Sequence, residues 1–370
     1  MKTIIAVENG GLLAGVRHFL KRLMETGVVE AIYVPIQVDG GTIIPALVTD
    51  PRWLDQADPL SPVMPINGAR AVSALTGKHP PGRLGVVLRS CEIRALLELV
   101  KLQQASLDGL SLISVDCPGT CELRDYESMK RNGGFDLESF LESTSAGSEP
   151  QGFNLRAACQ MCLQPGYEAA DVHLQLFGAD VHQGIPAVLR DHIAMKLELG
   201  AEPNPSNGRK QILDQVLTRH EQNRQAELSA IRGELSSNGG MASLFSTCLR
   251  CHNCMTACPI CYCKTCLFRS EAMSHPPEYY LNAAHRKGAV RMLSDTLLFH
   301  MTRLNHMGTS CVSCGMCASA CPADIPVGTI FSAISEQLQT AFDYQPGRNV
   351  GEPLPLITFQ PNEWTEIGEG

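Results

Sequence analysis

One cysteine pattern occurs twice in the last third of this 370-residue chain and limits the possible folds more than any other feature. Each copy reads C-x2-C-x2-C-x3-C-P, and the two copies supply Cys248, Cys251, Cys254, Cys258, Cys311, Cys314, Cys317 and Cys321. Two-residue spacers let three successive thiolates curve around one cube of iron and sulfide, and the fourth cysteine is directed to a neighbouring cube. The fold must therefore bring the two copies side by side.

The same pattern predicts which thiolates share a cluster. In two-cluster ferredoxins the first three cysteines of each run bind one 4Fe-4S cubane, and the fourth binds the other. The first cluster is thus predicted on Cys248, Cys251, Cys254 and Cys321. The second is predicted on Cys311, Cys314, Cys317 and Cys258. A zinc site is the alternative, but zinc sites usually pair two C-x2-C couples and have no use for the third and fourth positions of each run.

The first half of the chain has a different pattern, in which short apolar runs alternate with amphipathic segments. The apolar runs occupy residues 3–7, 28–36, 84–88 and 110–115, and helical periodicity follows at 12–27 and 92–104. This alternation predicts an α/β domain with a mostly parallel sheet. Two further runs, at 171–178 and 183–189, are predicted strands of the same or a companion sheet.

Changes in composition divide the chain into four predicted parts. We expect an α/β domain over 1–200, a linker with a connecting helix over 201–236, a mainly α-helical two-cluster ferredoxin-like domain over 237–345 and an extended tail over 346–370. The cysteine runs are 52 residues apart and the interval includes a helical stretch at 295–307. A minimal bacterial ferredoxin has a much shorter interval, so the second domain is expected to be of the α-helical ferredoxin type.

Five more cysteines lie in the α/β part, at predicted loops: Cys91, Cys117, Cys121, Cys159 and Cys162. Loops at the carboxyl ends of parallel strands meet in one crevice, so a shared cluster is expected there. The alternative is that these residues are small buried hydrophobic side chains. Three other cysteines follow the first run, at Cys261, Cys263 and Cys266. They indicate either an additional cluster with a distant fourth ligand, for which Cys121 is left over, or a thiol-rich turn beneath the first cluster.

Charge and hydropathy exclude two classes of partner. The formal charge of −8 provides no basic stripe for phosphates, so no nucleic acid is expected. No apolar run reaches the 18 or so residues of a membrane span, which argues against direct membrane insertion. The first residues indicate a strand and a turn instead of a signal peptide, so the sixteen cysteines are expected to be reduced or metal-bound in the cytoplasm.

Several motifs resemble the beta-subunit family of coenzyme F420-reducing hydrogenase and F420-dependent formate dehydrogenase. The matching segments are ENGGLLAGVRHFLKRLMETGVVEAIYV at 8–34, RSCEIRALLELVKL at 89–102 and CQMCLQPGYEAADVHLQLFG at 159–178. The runs CHNCMTACPICYCKTC at 251–266 and CVSCGMCASACP at 311–322 resemble the formate dehydrogenase branch, which carries the additional ferredoxin module.

The resemblance implies an oxidoreductase subunit that binds FAD and a third cubane in the α/β domain. Carried over by position, the third cluster falls on Cys91, Cys117, Cys159 and Cys162, with Cys121 as a competitor for Cys91. The resemblance also implies flavin contacts at Asn9, Gly10 and Gly11, a turn in which backbone amides can approach the cofactor. Ser90 is a further implied cofactor-binding position, where the family generally has proline.

The implied activity is electron transfer, and no catalytic residue is predicted. A flavin exchanges two electrons as a hydride and a cubane exchanges one, so a subunit with both converts between the two. The resemblance implies a molybdopterin formate dehydrogenase or nickel–iron hydrogenase subunit as catalytic partner, and coenzyme F420 or a heterodisulfide-reductase-like subunit as acceptor. The alternatives are a flavin-free iron–sulfur adaptor that wires two enzymes and a zinc-dependent interaction module.

Overall fold

The structure is a computed structural model that describes residues 1–7, 11–77, 82–150, 152–180, 182–201, 208–290 and 292–356. Its strands are β1 Lys2–Ala6, β2 Ala31–Gln37, β3 Ile43–Val48, β4 Leu84–Arg89, β5 Leu110–Val115, β6 Val172–Leu174 and β7 Gly184–Leu189. They form one seven-stranded sheet in the order β1-β7-β6-β5-β4-β2-β3. The predicted α/β class is therefore confirmed.

The sheet is mixed, whereas the sequence predicted a mostly parallel one. The central strands β2, β4, β5 and β6 are parallel neighbours, but β3, β7 and β1 pair in the antiparallel sense. The reason is the length of the connections, because a parallel crossover needs about a dozen residues or more. The chain passes from β2 to β3 and from β6 to β7 by shorter segments, and each of these pairs is accordingly antiparallel.

Fourteen α-helices occur among the described residues. They are α1 Gly11–Glu25, α2 Gly68–Thr76, α3 Ser90–Lys101, α4 Leu123–Arg131, α5 Leu137–Ser145, α6 Ala157–Gln160, α7 Asp191–Lys196, α8 Arg209–Leu235, α9 Gly240–Leu244, α10 Asn253–Ala257, α11 Pro277–Lys287, α12 Thr296–Met307, α13 Met316–Ser319 and α14 Val327–Ala341. The predicted helices at 209–235 and 295–307 correspond to α8 and α12. Within the described part of the chain, no helix combines the length and the apolar character that crossing a bilayer requires.

Both faces of the sheet are covered, as expected for parallel strands with buried residues on each side. Strand β4 shows this directly, since Leu84, Val86 and Leu88 lie in one core and Val87 lies in the other. Helix α1 packs on the face of Val87, and α2 and α3 pack on the opposite face. The hydrophobic core of this second face continues into the cysteine-rich part, through side chains of α8, α12 and α14. The predicted domain boundaries stay predictions.

Buried polar contacts fix the cysteine-rich part against α3. Glu98 of α3 is fully buried and accepts hydrogen bonds from Tyr344 Oη at 2.6 Å and from the Gly347 amide at 2.8 Å. Nearer the start of the helix, Arg94 Nη2 donates to the carbonyl oxygen of Val312 at 3.1 Å. These contacts place the second cysteine run beside the amino end of α3, next to the carboxyl end of β4.

Candidate functional site

The four α/β cysteines that the resemblance implied as a cluster site line one cavity. Cys91 is the second residue of α3, directly after β4, and Cys117 follows the end of β5 by two residues. Cys159 lies in α6, and Cys162 follows that helix. All four contribute to the cavity wall, which also contains Cys314 from the second cysteine run. The parallel neighbours β4 and β5 thus position two of the thiols, and α6 delivers the other two.

Cys121 lies elsewhere. It is 2% exposed, and its thiol donates a hydrogen bond to the carbonyl oxygen of Pro62 at 3.2 Å. It packs in a small apolar cluster with Ile43, Val63 and Tyr126. This placement favours Cys91 over Cys121 as the fourth ligand, because Cys91 lines the same cavity as the other three thiols and the Cys121 thiol is already engaged.

A second cavity is lined by Cys258, Cys311, Cys314 and Cys317. This is the quartet predicted for the second cluster, and it includes the fourth cysteine of the other run. Cys314 lies in the walls of both cavities, so the two thiol sets are direct neighbours. The cavity is closed by apolar side chains, including Met307 of α12 and Phe331 of α14.

The quartet predicted for the first cluster is also brought together. Burial raises the pKa of the Cys254 thiol to about 11, the Arg303 cation opposes this rise, and the thiols of Cys248, Cys251 and Cys321 add to it. Cys254 is buried, whereas Cys251 is exposed. This thiol set therefore lies between the protein interior and the surface.

Among the described residues, no group of three or more His, Cys, Asp or Glu side chains is arranged to hold a single metal ion. A cubane keeps its four thiolates apart, at the corners of a cube of iron and sulfide. The predicted clusters therefore require a cavity with four cysteine thiols in its wall, not four thiols around one point.

The charges around the first cavity differ from thiol to thiol. Burial raises the pKa of Cys117 to about 12. Burial has the same tendency at Cys159, but the Arg156 cation and hydrogen bonds from Thr120 lower the pKa of that thiol below its ordinary value. The Thr120 amide donates to Cys159 Sγ at 3.3 Å, and Arg156 Nη2 donates to the same atom at 3.7 Å. The surroundings of Cys159 thus favour its thiolate, the form that binds iron, more than burial alone would.

The remaining cysteines lie beside Cys258. Burial raises the pKa of Cys261 to about 11, and the thiols of Cys258, Cys263 and Cys266 contribute to the rise. Cys266 Sγ lies 3.7 Å from the sulfur of Met255, and Cys263 is exposed. Their role as ligands of an additional cluster stays a prediction.

The predicted flavin positions are only partly described. Asn9 and Gly10 lie outside the described residues. Gly11 begins α1 with a φ of +81°, and among the described residues a Cβ added there would be in ordinary van der Waals contact with Glu138 Oε1 at 3.9 Å. Ser90 lines the first thiol cavity, and its buried hydroxyl has no hydrogen-bond partner among the described residues. The structure therefore places Ser90 beside the thiols.

Sequence reasoning missed three side chains that contact the cysteines. Arg156 and Arg303 donate to Cys159 and Cys254 respectively, and His300 Nε2 lies 3.4 Å from Cys248 Sγ. Arg156 stands three residues before Cys159, which is a usable sequence signal. Arg303 and His300 lie on α12, and only the position of that helix between the cysteine runs pointed to them.

The second cysteine run packs closely against α6 at Gly315, the residue after Cys314. Gly315 has a φ of +74°, and a Cβ added there would lie 2.5 Å from the Cβ of Ala158 in α6. We expect Gly315→Ala to push Cys314 away from α6 and to lower the iron content of the anaerobically reconstituted protein. Gly27→Ala is the matched control. Gly27 also has a positive φ, +64°, but a Cβ added there would meet no atom of the described residues within 4 Å. Equal iron in the two variants would contradict this expectation.

The fold and the thiol cavities define a class of protein: an α/β domain with a cysteine-rich helical part packed against it. No protein-family model matches the chain. The chain is 23% identical over 382 residues to the F420-dependent formate dehydrogenase subunit beta of Methanocaldococcus jannaschii, with 95% of each chain covered. It is 24% identical over 401 residues to the F420-dependent formate dehydrogenase 1 subunit beta of Methanococcus maripaludis, with 95% of this chain and 94% of the relative covered.

The chain is a homologue of these beta subunits along nearly its whole length, so the resemblance predicted from the sequence is confirmed. It is accordingly of the oxidoreductase-subunit type. Among solved structures, the F420-reducing nickel–iron hydrogenase complex from Methanosarcina barkeri matches with a TM-score of 0.42 and 12% identity, covering 58% of this chain and 85% of that chain.

Proposed function

We propose that the chain is the electron-transfer beta subunit of a formate dehydrogenase or hydrogenase complex, with three cubanes in a row. The observation that carries this proposal is the wall shared by the two thiol cavities. Cys314 belongs to both, so the α/β set lies next to the middle set of Cys258, Cys311, Cys314 and Cys317. The set around Cys254 then forms the outer end, where Cys251 is exposed.

The residues present fit cubanes in the two cavities. The first cavity offers the four α/β thiols beside Cys314, the second offers four including Cys314, and the Ser90 hydroxyl, which has no hydrogen-bond partner among the described residues, is available to donate to a sulfur in the first. Bound there, each cubane would supply a one-electron carrier, with a potential set by burial and hydrogen bonding. The protein's own contribution is to hold the thiols in place, to exclude water with Met307 and Phe331, and to favour the thiolate form at Cys159.

FAD in the α/β domain is the second part of the proposal. It rests on the confirmed relationship to F420-dependent formate dehydrogenase beta subunits and on the positive φ of +81° at Gly11, a backbone conformation that glycine adopts readily. A flavin-free adaptor is the runner-up, and one observation favours it. Ser90, a predicted flavin position, lies in the wall of the thiol cavity instead.

The partners follow from the relatives. We propose that a molybdopterin or nickel–iron subunit delivers electrons, and that coenzyme F420 or a heterodisulfide-reductase-like subunit accepts them. The cytoplasm is the proposed location, because none of the sixteen cysteines, all of which lie within the described residues, forms a disulfide, and disulfides are rare in a reducing compartment.

Anaerobic purification with iron, sulfide and flavin analysis tests this function. We expect about twelve irons per chain from three cubanes, with a matching amount of acid-labile sulfide and about one FAD. About sixteen irons would show that Cys261, Cys263 and Cys266 hold a fourth cluster. Zinc without sulfide would refute the proposal, and twelve irons without flavin after reconstitution would establish the adaptor.

A further inference from the structure

We propose that Arg156 and Arg303 are shared counter-cations, each set between two neighbouring clusters and raising the reduction potential of both. The inference rests on the cluster positions proposed above. Neither arginine belongs to a predicted ligand set.

Arg303 lies between the outer and the middle thiol sets. Its Nη1 donates to Cys254 Sγ at 3.0 Å, and its Nη2 donates to the carbonyl oxygen of Cys254 at 3.1 Å. The same side chain lines the cavity of the middle set, together with Cys258 and Cys317. It is 3% exposed, and its guanidinium stacks over the Phe331 ring with 4.8 Å from Cζ to the ring centre.

Arg156 occupies the equivalent place between the middle and the α/β sets. Its Nη2 donates to Cys159 Sγ at 3.7 Å, and its Nε donates to Thr120 Oγ1 at 2.8 Å. Its Nη1 reaches α13, which follows Cys314, and donates to Met316 Sδ at 3.3 Å. Arg156 is 7% exposed and lines the cavity that Cys314 shares with the α/β thiols.

Both arginines need a negative partner, because a buried charge is costly unless it is paired. Within the described part of the chain, neither guanidinium lies within 4 Å of a carboxylate oxygen. Both guanidinium groups instead contact cysteine sulfurs, which carry negative charge as thiolates when they bind iron. The thiolates and the clusters that they would bind are therefore the countercharge for which these cations are placed.

A cation beside a cluster favours its reduced state, because reduction adds a negative charge, and net charge is one of the determinants of cluster potential. A cation between two clusters acts on both. The middle set is then influenced by both arginines and each end set by one. This arrangement predicts a pattern of shifts that an ordinary structural arginine would not produce.

The test is a redox titration of the holoprotein by electron paramagnetic resonance. The signals are assigned with Cys254→Ala, Cys311→Ala and Cys159→Ala, each of which removes one cluster. We expect Arg303→Gln to lower the potentials of the outer and middle clusters and to leave that of the α/β cluster unchanged. Arg156→Gln should lower the potentials of the α/β and middle clusters and leave that of the outer one unchanged. The expected shift is at least tenfold in the one-electron equilibrium constant, which is about 59 mV.

Charge-preserving and distant variants complete the experiment. Arg303→Lys and Arg156→Lys should keep all clusters and show less than half of the shift of the Gln variants. Arg232→Gln is the matched control, since Arg232 is an α8 arginine that pairs with the Glu336 carboxylate and lines neither thiol cavity, and it should shift none.

Unchanged potentials, an equal shift of all three clusters, or equal shifts in the Lys and Gln variants would each overturn the inference. If a Gln variant loses iron, its Lys variant decides, and loss of iron there too would show that shape and not charge is required. An iron count well below twelve in the unmodified protein would instead refute the proposed function before any arginine is changed.

Discussion

Replacement of Cys258 by alanine is expected to remove about four irons per chain, and to remove the same cluster as Cys311→Ala. The reason is that Cys258 lines the cavity of the second cysteine run, although it belongs in sequence to the first. The double variant Cys258→Ala/Cys311→Ala should therefore lose no more iron than either single variant. Cys258→Ala/Cys254→Ala should lose about eight irons, because the two thiols serve different clusters.

Iron analysis of anaerobically reconstituted proteins, with electron paramagnetic resonance of the reduced samples, measures these losses. Cys121→Ala is the control, since this buried thiol bonds to the Pro62 carbonyl and does not line either cavity. A loss of about eight irons in Cys258→Ala/Cys311→Ala would contradict the shared cluster. Without the middle cluster, the rate of electron transfer between the α/β cluster and the outer cluster should also fall steeply.

Asp116→Asn is expected to destabilise the α/β domain by about 3 to 5 kcal/mol, the usual effect of removing one partner from a buried ion pair. Asp116 is 2% exposed and forms an ion pair with Arg209. Its carboxylate also accepts hydrogen bonds from His173 Nε2 and from the Leu176 amide, both at 2.9 Å. An amide removes the charge that Arg209 requires and adds a donor that must face existing donors.

Anaerobic urea denaturation followed by circular dichroism measures this change. Cys117 is the next residue, so iron of the α/β cluster should be lost at lower urea in the variant than in the unmodified protein. Asp50→Asn is the control, because the Asp50 carboxylate pairs with its neighbour Arg52 near the surface, and its midpoint should not move. An unchanged midpoint for Asp116→Asn would show that the buried pair does not stabilise the fold.

The α/β class and several of its elements could be predicted because local patterns determine them. The apolar run at 84–88 and the helical periodicity at 92–104 correspond to β4 and α3. The edge strand β3 was not predicted, whereas β1 at the other edge corresponds to the apolar run at 3–7. β3 contains Pro45 and has little alternation of buried and exposed side chains, so its pairing depends on the short connection from β2.

The cysteine spacings predicted which distant residues meet, since Cys258 and Cys311 do line one cavity. Spacing could not choose between Cys91 and Cys121, because both were predicted to lie in loops of the α/β part. The difference arises from packing, which buries the Cys121 thiol against Pro62. The arginines were missed for a similar reason, as the contact of Arg303 with Cys254 spans 49 residues of sequence and depends on how α12 packs.

The core that α3 shares with α8, α12 and α14 has a mechanical consequence. Parts of a chain joined by a polar linker can swing relative to each other, whereas a continuous apolar interface resists such motion. The contacts of Arg94 with Val312 and of Glu98 with Tyr344 add to this rigidity. Electron tunnelling between the α/β and middle centres would then occur over a fixed gap, and its rate would not depend on solvent viscosity.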